Sequence, residues 1–178
     1  LAELRAILEP AVADLELVGY DGPEPVEDGS SYLENALIKA RAANRHTGLP
    51  SIADDSGLAV EILGGSPGIF SARWAGGRDN AANMRLLLSQ LSDVRDDQRA
   101  AAFICTIAYV DGDTEISFTG FWNGSIARAE AGEFGHGYDP IFQPDGHEVT
   151  FGQMDRWAKN QISHRADAFR KLVAGCFT

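Results

Sequence analysis

Two adjacent carboxylates, Asp54 and Asp55, sit between Ile52-Ala53 and Leu58-Ala59-Val60, with Ser56 and Gly57 beside them. Burying carboxylates costs free energy unless a positive charge neutralises them. A divalent cation would do so, and carboxylate oxygens suit Mg²⁺. An Asp-rich turn uses the same residue types. The stretch alone leaves both readings open.

Two further groups carry chemistry. In the first, Glu34 is followed by Asn35 and Lys39, which share a helix face at i,i+4; a solvated face is the alternative. The second holds Tyr138-Asp139, Lys159 and Ser163-His164-Arg165, with Gly135 and Gly137 flanking His136. Those glycines permit close backbone approach. Lys159 is a compact charge and Arg165 a planar fork, and both suit phosphate or a carbonyl-rich base. His164 and Arg165 open a predicted helix, where backbone N–H groups favour anions; a capped helix with exposed charges is the alternative. A cation site and an anion site together would suit a metal–polyphosphate substrate.

The elements that must position these groups follow from the pattern. At 178 residues the chain fits one domain with a sizeable core. It is 44% apolar and 23% charged, the profile of a soluble globular protein. A net charge of −11 argues against duplex nucleic acid as a partner. Cys105 and Cys176 are far apart and lack zinc-like spacing, so two thiols in a reducing, cytoplasmic compartment are expected. The uncharged run at residues 100–110 is about half the roughly 20 residues a membrane span needs. No signal-peptide pattern is visible, and no membrane partner is expected.

Residues 1–8 read as helix and 15–20 as a short strand, followed by a loop over 21–30. A helix begins at Ser30 or Ser31 and ends before Gly48, with Leu33, Ala36, Leu37, Ala40 and Ala43 as its buried stripe. Residues 50–54 predict a buried strand ending on the acidic pair. A loop spans 64–77, and Asp79 caps a helix running to about Leu91. Residues 100–110 and 115–122 predict a hairpin through Asp111-Gly112, with 124–128 continuing the sheet. Residues 132–144 read as loop and 150–160 as mostly helix. Ser163 caps a last helix with Ala168, Leu172 and Val173 in the core. This order predicts one α/β domain with a mixed sheet.

Five stretches carry a resemblance: Glu34 to Ala40 (ENALIKA), Ala53 to Val60 (ADDSGLAV), Pro67 to Gly76 (PGIFSARWAG), Gly137 to Phe142 (GYDPIF) and Lys159 to Arg165 (KNQISHR). In these motifs, their order and their spacing, the chain resembles the inosine triphosphate pyrophosphatase family, which hydrolyses non-canonical purine nucleoside triphosphates. The resemblance implies an α/β fold with a mixed twisted β-sheet flanked by helices, in two lobes with a nucleotide cleft. It implies Mg²⁺-dependent hydrolysis of ITP, dITP and XTP to the monophosphate and pyrophosphate, by a cytoplasmic homodimer. Asp55 matches the proton acceptor and a magnesium ligand, and Glu34 a further metal ligand. Ser56 matches a substrate contact, His136, Gly137, Tyr138 and Asp139 the base-binding loop, and Lys159, His164 and Arg165 further nucleotide contacts. Asp54 takes a supporting place at the metal.

Base choice would then follow from hydrogen-bond polarity. Asp139 could accept from the N1–H of a 6-oxo purine while Arg165 or His164 donates to O6, and adenine reverses both requirements.

The chain also departs from the family pattern. Residues 1–178 read as one such domain lacking the family's N-terminal strand and its Ser/Thr-x-Asn-x-x-Lys phosphate loop. His136 stands where an aromatic residue, commonly Phe, stacks on the purine, and an imidazole offers less stacking area. Gln153 and Ala158 stand where Glu is frequent. Two rivals follow: a pyrophosphatase acting on pyrimidine nucleotides, against which Gly137-Tyr138-Asp139 argues, and a non-catalytic nucleotide-binding paralogue.

Overall fold

Ser31 and Gly48 bracket helix α1 (Tyr32–Thr47) in the computed structural model, which describes residues 5, 8, 9, 12, 14–155, 158, 159 and 164–176. The Ser31 hydroxyl accepts from the Glu34 amide at 3.1 Å, and Gly48, left-handed at φ 70°, donates to the Asn44 carbonyl. Both are the expected caps. Ala36, Ala40 and Ala43 form the buried stripe, but Leu33 in the first turn remains 40% exposed. Periodicity names a helix face without saying how far along it the packing extends.

Strand β1 (Ser51–Val60) continues straight through the acidic pair, so Asp54 and Asp55 lie in mid-strand and not at a strand end. Helix α2 (Asn80–Gln90) is capped by Asp79, whose carboxylate accepts from the Ala81 and Ala82 amides. Strands β2 (Ala100–Asp111) and β3 (Thr114–Ile126) form the predicted hairpin. Strand β4 (Phe142–Pro144) pairs antiparallel to β3, with Ile126 opposite Phe142. Helix α3 (His164–Cys176) closes the described chain. The sheet order is β1-β2-β3-β4, an antiparallel sheet flanked by helices, and the α/β class is as the sequence predicts.

The chain divides into two compact units. The first holds Leu1–Ser56, Cys105–Gly120 and His164–Thr178. In it, alternation along the strands builds two cores. Ala53, Ala108 and Val110 pack with Ala36, Leu37 and Ala40 of α1. Ile52, Cys105 and Ile107 pack with Ala168, Phe169 and Leu172 of α3. Helices α1 and α3 therefore cover opposite faces of these strand segments.

The second unit holds Gly57–Ile104 and Phe121–Ser163. Its core gathers Leu58, Val60, Leu87, Leu91 and Ile126 around Phe103, Phe142 and Phe151. The Phe103 and Phe142 rings lie 4.6 Å apart, and those of Phe142 and Phe151 5.2 Å. Arg99, 3% exposed, donates to the carbonyls of Leu91 (2.6 Å), Ile126 (2.7 Å) and Ala127 (2.9 Å).

Three expectations differ, the first being the loop over 132–144, whose last three residues form β4. Residues 15–20 form no strand: Leu15 and Leu17 pack against the α3-side core, and the Arg5 guanidinium occupies the Leu17 carbonyl at 2.7 Å. Alternating burial is satisfied here without a ladder. The helix expected over 150–160 breaks into pieces: a 3₁₀ turn at Phe151–Gln153 with Thr150 and Gln153 capping each other, then an extended Met154. Asp155 starts afresh by accepting from the Ala158 amide at 2.9 Å. Of the helix expected over 1–8, Arg5 and Leu8 are helical and the other positions lie outside the described residues, as does the Ser163 cap.

Candidate active site

Because side chains alternate along a strand, Asp54 and Asp55 face opposite ways from β1. Asp55 points with Ala53 to the α1 side. Its Oδ1 lies 3.4 Å from Lys39 Nζ, and its Oδ2 accepts from Asn35 Nδ2 at 3.3 Å. Lys39 Nζ is also 3.4 Å from Glu27 Oε2, so one ammonium bridges two carboxylates. The shared i,i+4 face of Asn35 and Lys39 is thus directed at the strand and not at solvent. Burial raises the Asp55 pKa; Lys39 and Asn35 offset this in part, and Glu27 adds to it. The Tyr32 hydroxyl is buried without a hydrogen-bond partner. Its pKa is pushed up to about 12 by burial and by the charge of Asp55.

Asp54 points to the α3 side with Ile52. Its Oδ2 accepts from Arg165 Nη2 at 2.9 Å and from the Ser56 hydroxyl at 3.2 Å, and the Cys105 thiol lies 3.7 Å away. Burial opposes the charge, but Arg165, Lys39 and Ser56 outweigh it and hold the Asp54 pKa below its usual value. Burial, then Asp54, pushes the Cys105 thiol up to about 12. Arg165 and His164 occupy the first turn of α3, as predicted.

Glu34 caps the start of its own helix. Its Oε2 accepts from the Ser30 amide at 2.6 Å and the Ser30 hydroxyl at 2.8 Å, an exposed cap at the start of α1. The acidic group that shares Lys39 with Asp55 is Glu27, inside the stretch read as a plain loop. Nothing in the local sequence signals it.

The second unit assembles the other predicted group. Asp139, 2% exposed, accepts from the His136 amide at 2.6 Å and forms an ion pair with Lys159. Gly135, at φ 83°, passes so close that an added Cβ would stand 2.0 Å from Asp139 Oδ2. Gly137 is also left-handed, at φ 59°, a conformation glycine adopts without cost. Lys159 lies over the Phe151 ring at 5.4 Å. His136 is exposed. The Tyr138 side chain belongs to the core, 5% exposed, and its hydroxyl donates to the Ser71 carbonyl at 2.8 Å. Ser71 accepts from the Leu58 amide at 2.9 Å and donates to the Gly68 carbonyl at 2.6 Å. The 67–76 stretch is thus a brace beneath the 136–139 loop.

Among the described residues, no three His, Cys, Asp or Glu side chains converge as a metal cluster. Asp55 and Glu27 nevertheless supply hard oxygens across a single ammonium. That donor set fits Mg²⁺, which is commonly held by one or two carboxylates with substrate phosphates.

A flanked antiparallel sheet bearing a strand-borne carboxylate and a glycine-bounded Asp–Lys loop defines an α/β scaffold whose polar groups suit phosphate and a cation. Residues 1–175 match the Ham1 family. A dITP/XTP pyrophosphatase of Leifsonia xyli is 56% identical over 174 residues, 96% of this chain and 87% of that relative. A HAM1 protein structure from Coxiella burnetii superposes with a TM-score of 0.87 at 39% identity, covering 97% of this chain and 90% of that one. A nucleoside-triphosphatase, dITP/XTP pyrophosphatase, from Mycobacterium abscessus gives a TM-score of 0.80 at 47% identity, covering 96% and 92%. The chain belongs to the Ham1 family. No helix among the described residues is long and apolar enough to cross a membrane.

Proposed function

We propose that this chain is a nucleoside triphosphate pyrophosphatase that hydrolyses non-canonical purine nucleotides, dITP, XTP and ITP, to the monophosphate and pyrophosphate with Mg²⁺. A homodimer in the cytoplasm belongs to the same reading. The observation that carries it is Asp55: a half-buried carboxylate in mid-strand, partly desolvated, and tethered by Lys39 and Asn35 in a chain with named pyrophosphatase relatives. A bound Mg²⁺ would neutralise phosphate charge and polarise the phosphorus under attack. Asp55 would hold it, with Glu34, the further ligand implied by the resemblance, or Glu27, which shares Lys39 with Asp55, as the second carboxylate.

The chain's own groups supply the rest. Asp55 orients a water and accepts its proton at a carboxylate oxygen. Lys39 would offer its ammonium to phosphate oxygens, with Ser56 a further donor in the first unit and Lys159 one in the second. In the second unit Asp139 would be the acceptor suited to a purine N1–H, and in the first Arg165 or His164 the donor suited to O6, a polarity that adenine reverses. His136 stacks on the base, and the 137–138 backbone borders it.

Pyrophosphate release from dITP, XTP and ITP, set against dATP, tests this directly. Release is expected with Mg²⁺ and lost with chelator, and Asp55→Asn should lower kcat by about 10²–10⁴-fold. Asp55→Asn retaining wild-type kcat would overturn the assignment.

A further inference from the structure

The two adjacent aspartates perform separate tasks because the strand turns them to opposite faces. We propose that Asp54 is a positioning residue for Arg165, fixing the guanidinium that reads the substrate, and is not part of the cation centre at Asp55. The inference rests on the proposed pyrophosphatase reading and refines it.

Three observations converge on one oxygen. Arg165 Nη2, the Ser56 hydroxyl and the Cys105 thiol all address Asp54 Oδ2, at 2.9, 3.2 and 3.7 Å. Ile52, Asp54 and Ser56 share the face packed against α3, while Ala53 and Asp55 face α1. Arg165 keeps 38% of its side chain exposed even while paired. A guanidinium presents five donors in one rigid plane. A carboxylate gripping one nitrogen therefore constrains the direction of the whole fork, and it does so from a strand rather than from a flexible loop. A lysine at 165 would lose this, because an ammonium has no plane to orient.

Asp54→Asn keeps the side-chain shape and an oxygen acceptor but loses the charge that holds the fork. Its expected signature is a KM for dITP raised about tenfold with kcat within threefold, and a narrowed preference for dITP over dATP. Arg165→Lys should do the same, and the double variant should be no worse than Arg165→Lys alone. A merely structural role would leave the substrate preference in place, whatever the change in melting temperature. Effects of Asp54→Asn and Arg165→Lys that multiply, or an Asp54→Asn loss falling on kcat at unchanged KM, would overturn the inference.

A second measurement covers poor folding of Asp54→Asn. Calorimetric binding of dIMP to Arg165→Gln and to Asp54→Asn/Arg165→Gln, in which no unpaired charge remains, should give equal affinities. A weaker double variant would count against the proposal. Wild-type chain that releases no pyrophosphate from dITP or XTP would bring down the underlying reading and this inference with it. Wild-type release combined with additive variants would bring down this inference alone.

Discussion

At Asp55 and Asp54 the same residue type meets opposite electrostatics one peptide bond apart. Asp55 is desolvated and incompletely compensated, so its folded-state pKa is raised. A raised carboxylate contributes stability below its unfolded pKa, about 3.9, and loses that contribution as pH rises through the folded value. At neutral pH its charge is therefore a net cost. Asp55→Asn should leave the melting temperature at pH 7 unchanged or raise it by about 1–3 °C while removing activity, a usual stability–function trade-off. For Asp54 the sign reverses. Its pKa is depressed by Arg165 against the pull of burial, so its stabilisation is present above about pH 3.9 and lost as pH falls through its lower folded value. Thermal melts from pH 3 to 7 should show Asp54→Asn destabilised near neutrality and converging on wild type in acid. A constant gap across that range would contradict the assignment. The sequence shows the two carboxylates as neighbours; only a strand running on through them reveals that they face apart.

Among the elements, Arg99 does for the second unit what a metal or disulfide does elsewhere. It ties the end of α2 to the end of β3 through three backbone carbonyls at 2.6–2.9 Å, with its guanidinium buried. Arg99→Met keeps much of the apolar stem but takes the guanidinium from the Ile126 and Ala127 carbonyls, at about 1–3 kcal/mol each before relaxation or water entry, while the Leu91 carbonyl keeps the Val94 amide at 3.1 Å. Denaturant unfolding should show a loss of about 2–4 kcal/mol. A loss under 1 kcal/mol would mean the carbonyls find other donors. Nothing marked Arg99 beforehand: an arginine before a strand reads as surface charge, and only tertiary folding brings it its acceptors. The same limit hid Glu27, which sits in a loop and meets Lys39 only after α1 forms. Helix α1, helix α2 and the β2–β3 hairpin were legible because Ser31, Gly48, Asp79 and the 111–112 turn act locally. Residues 15–20 misled because alternation reports burial and does not report a ladder partner.

For the whole molecule, the two units each have their own core, yet β1, β2 and β3 contribute residues to both. Three of the four points at which the chain passes from one unit to the other lie within these strands. Loss of either core frees the ends of three strands that the other requires, so the chain should unfold as one cooperative transition. The tryptophans make this testable, because Trp74 and Trp122 lie in the second unit while Phe169 belongs to the first. Phe169→Ala removes a fully buried ring from the α3-side core, at about 3–5 kcal/mol. Tryptophan fluorescence and far-ultraviolet dichroism should then shift together, by about 6–20 °C, although the substitution lies in the unit that contains no tryptophan. A fluorescence transition that stays at the wild-type temperature while the dichroism splits would show two independently folding units and defeat the argument from shared strands.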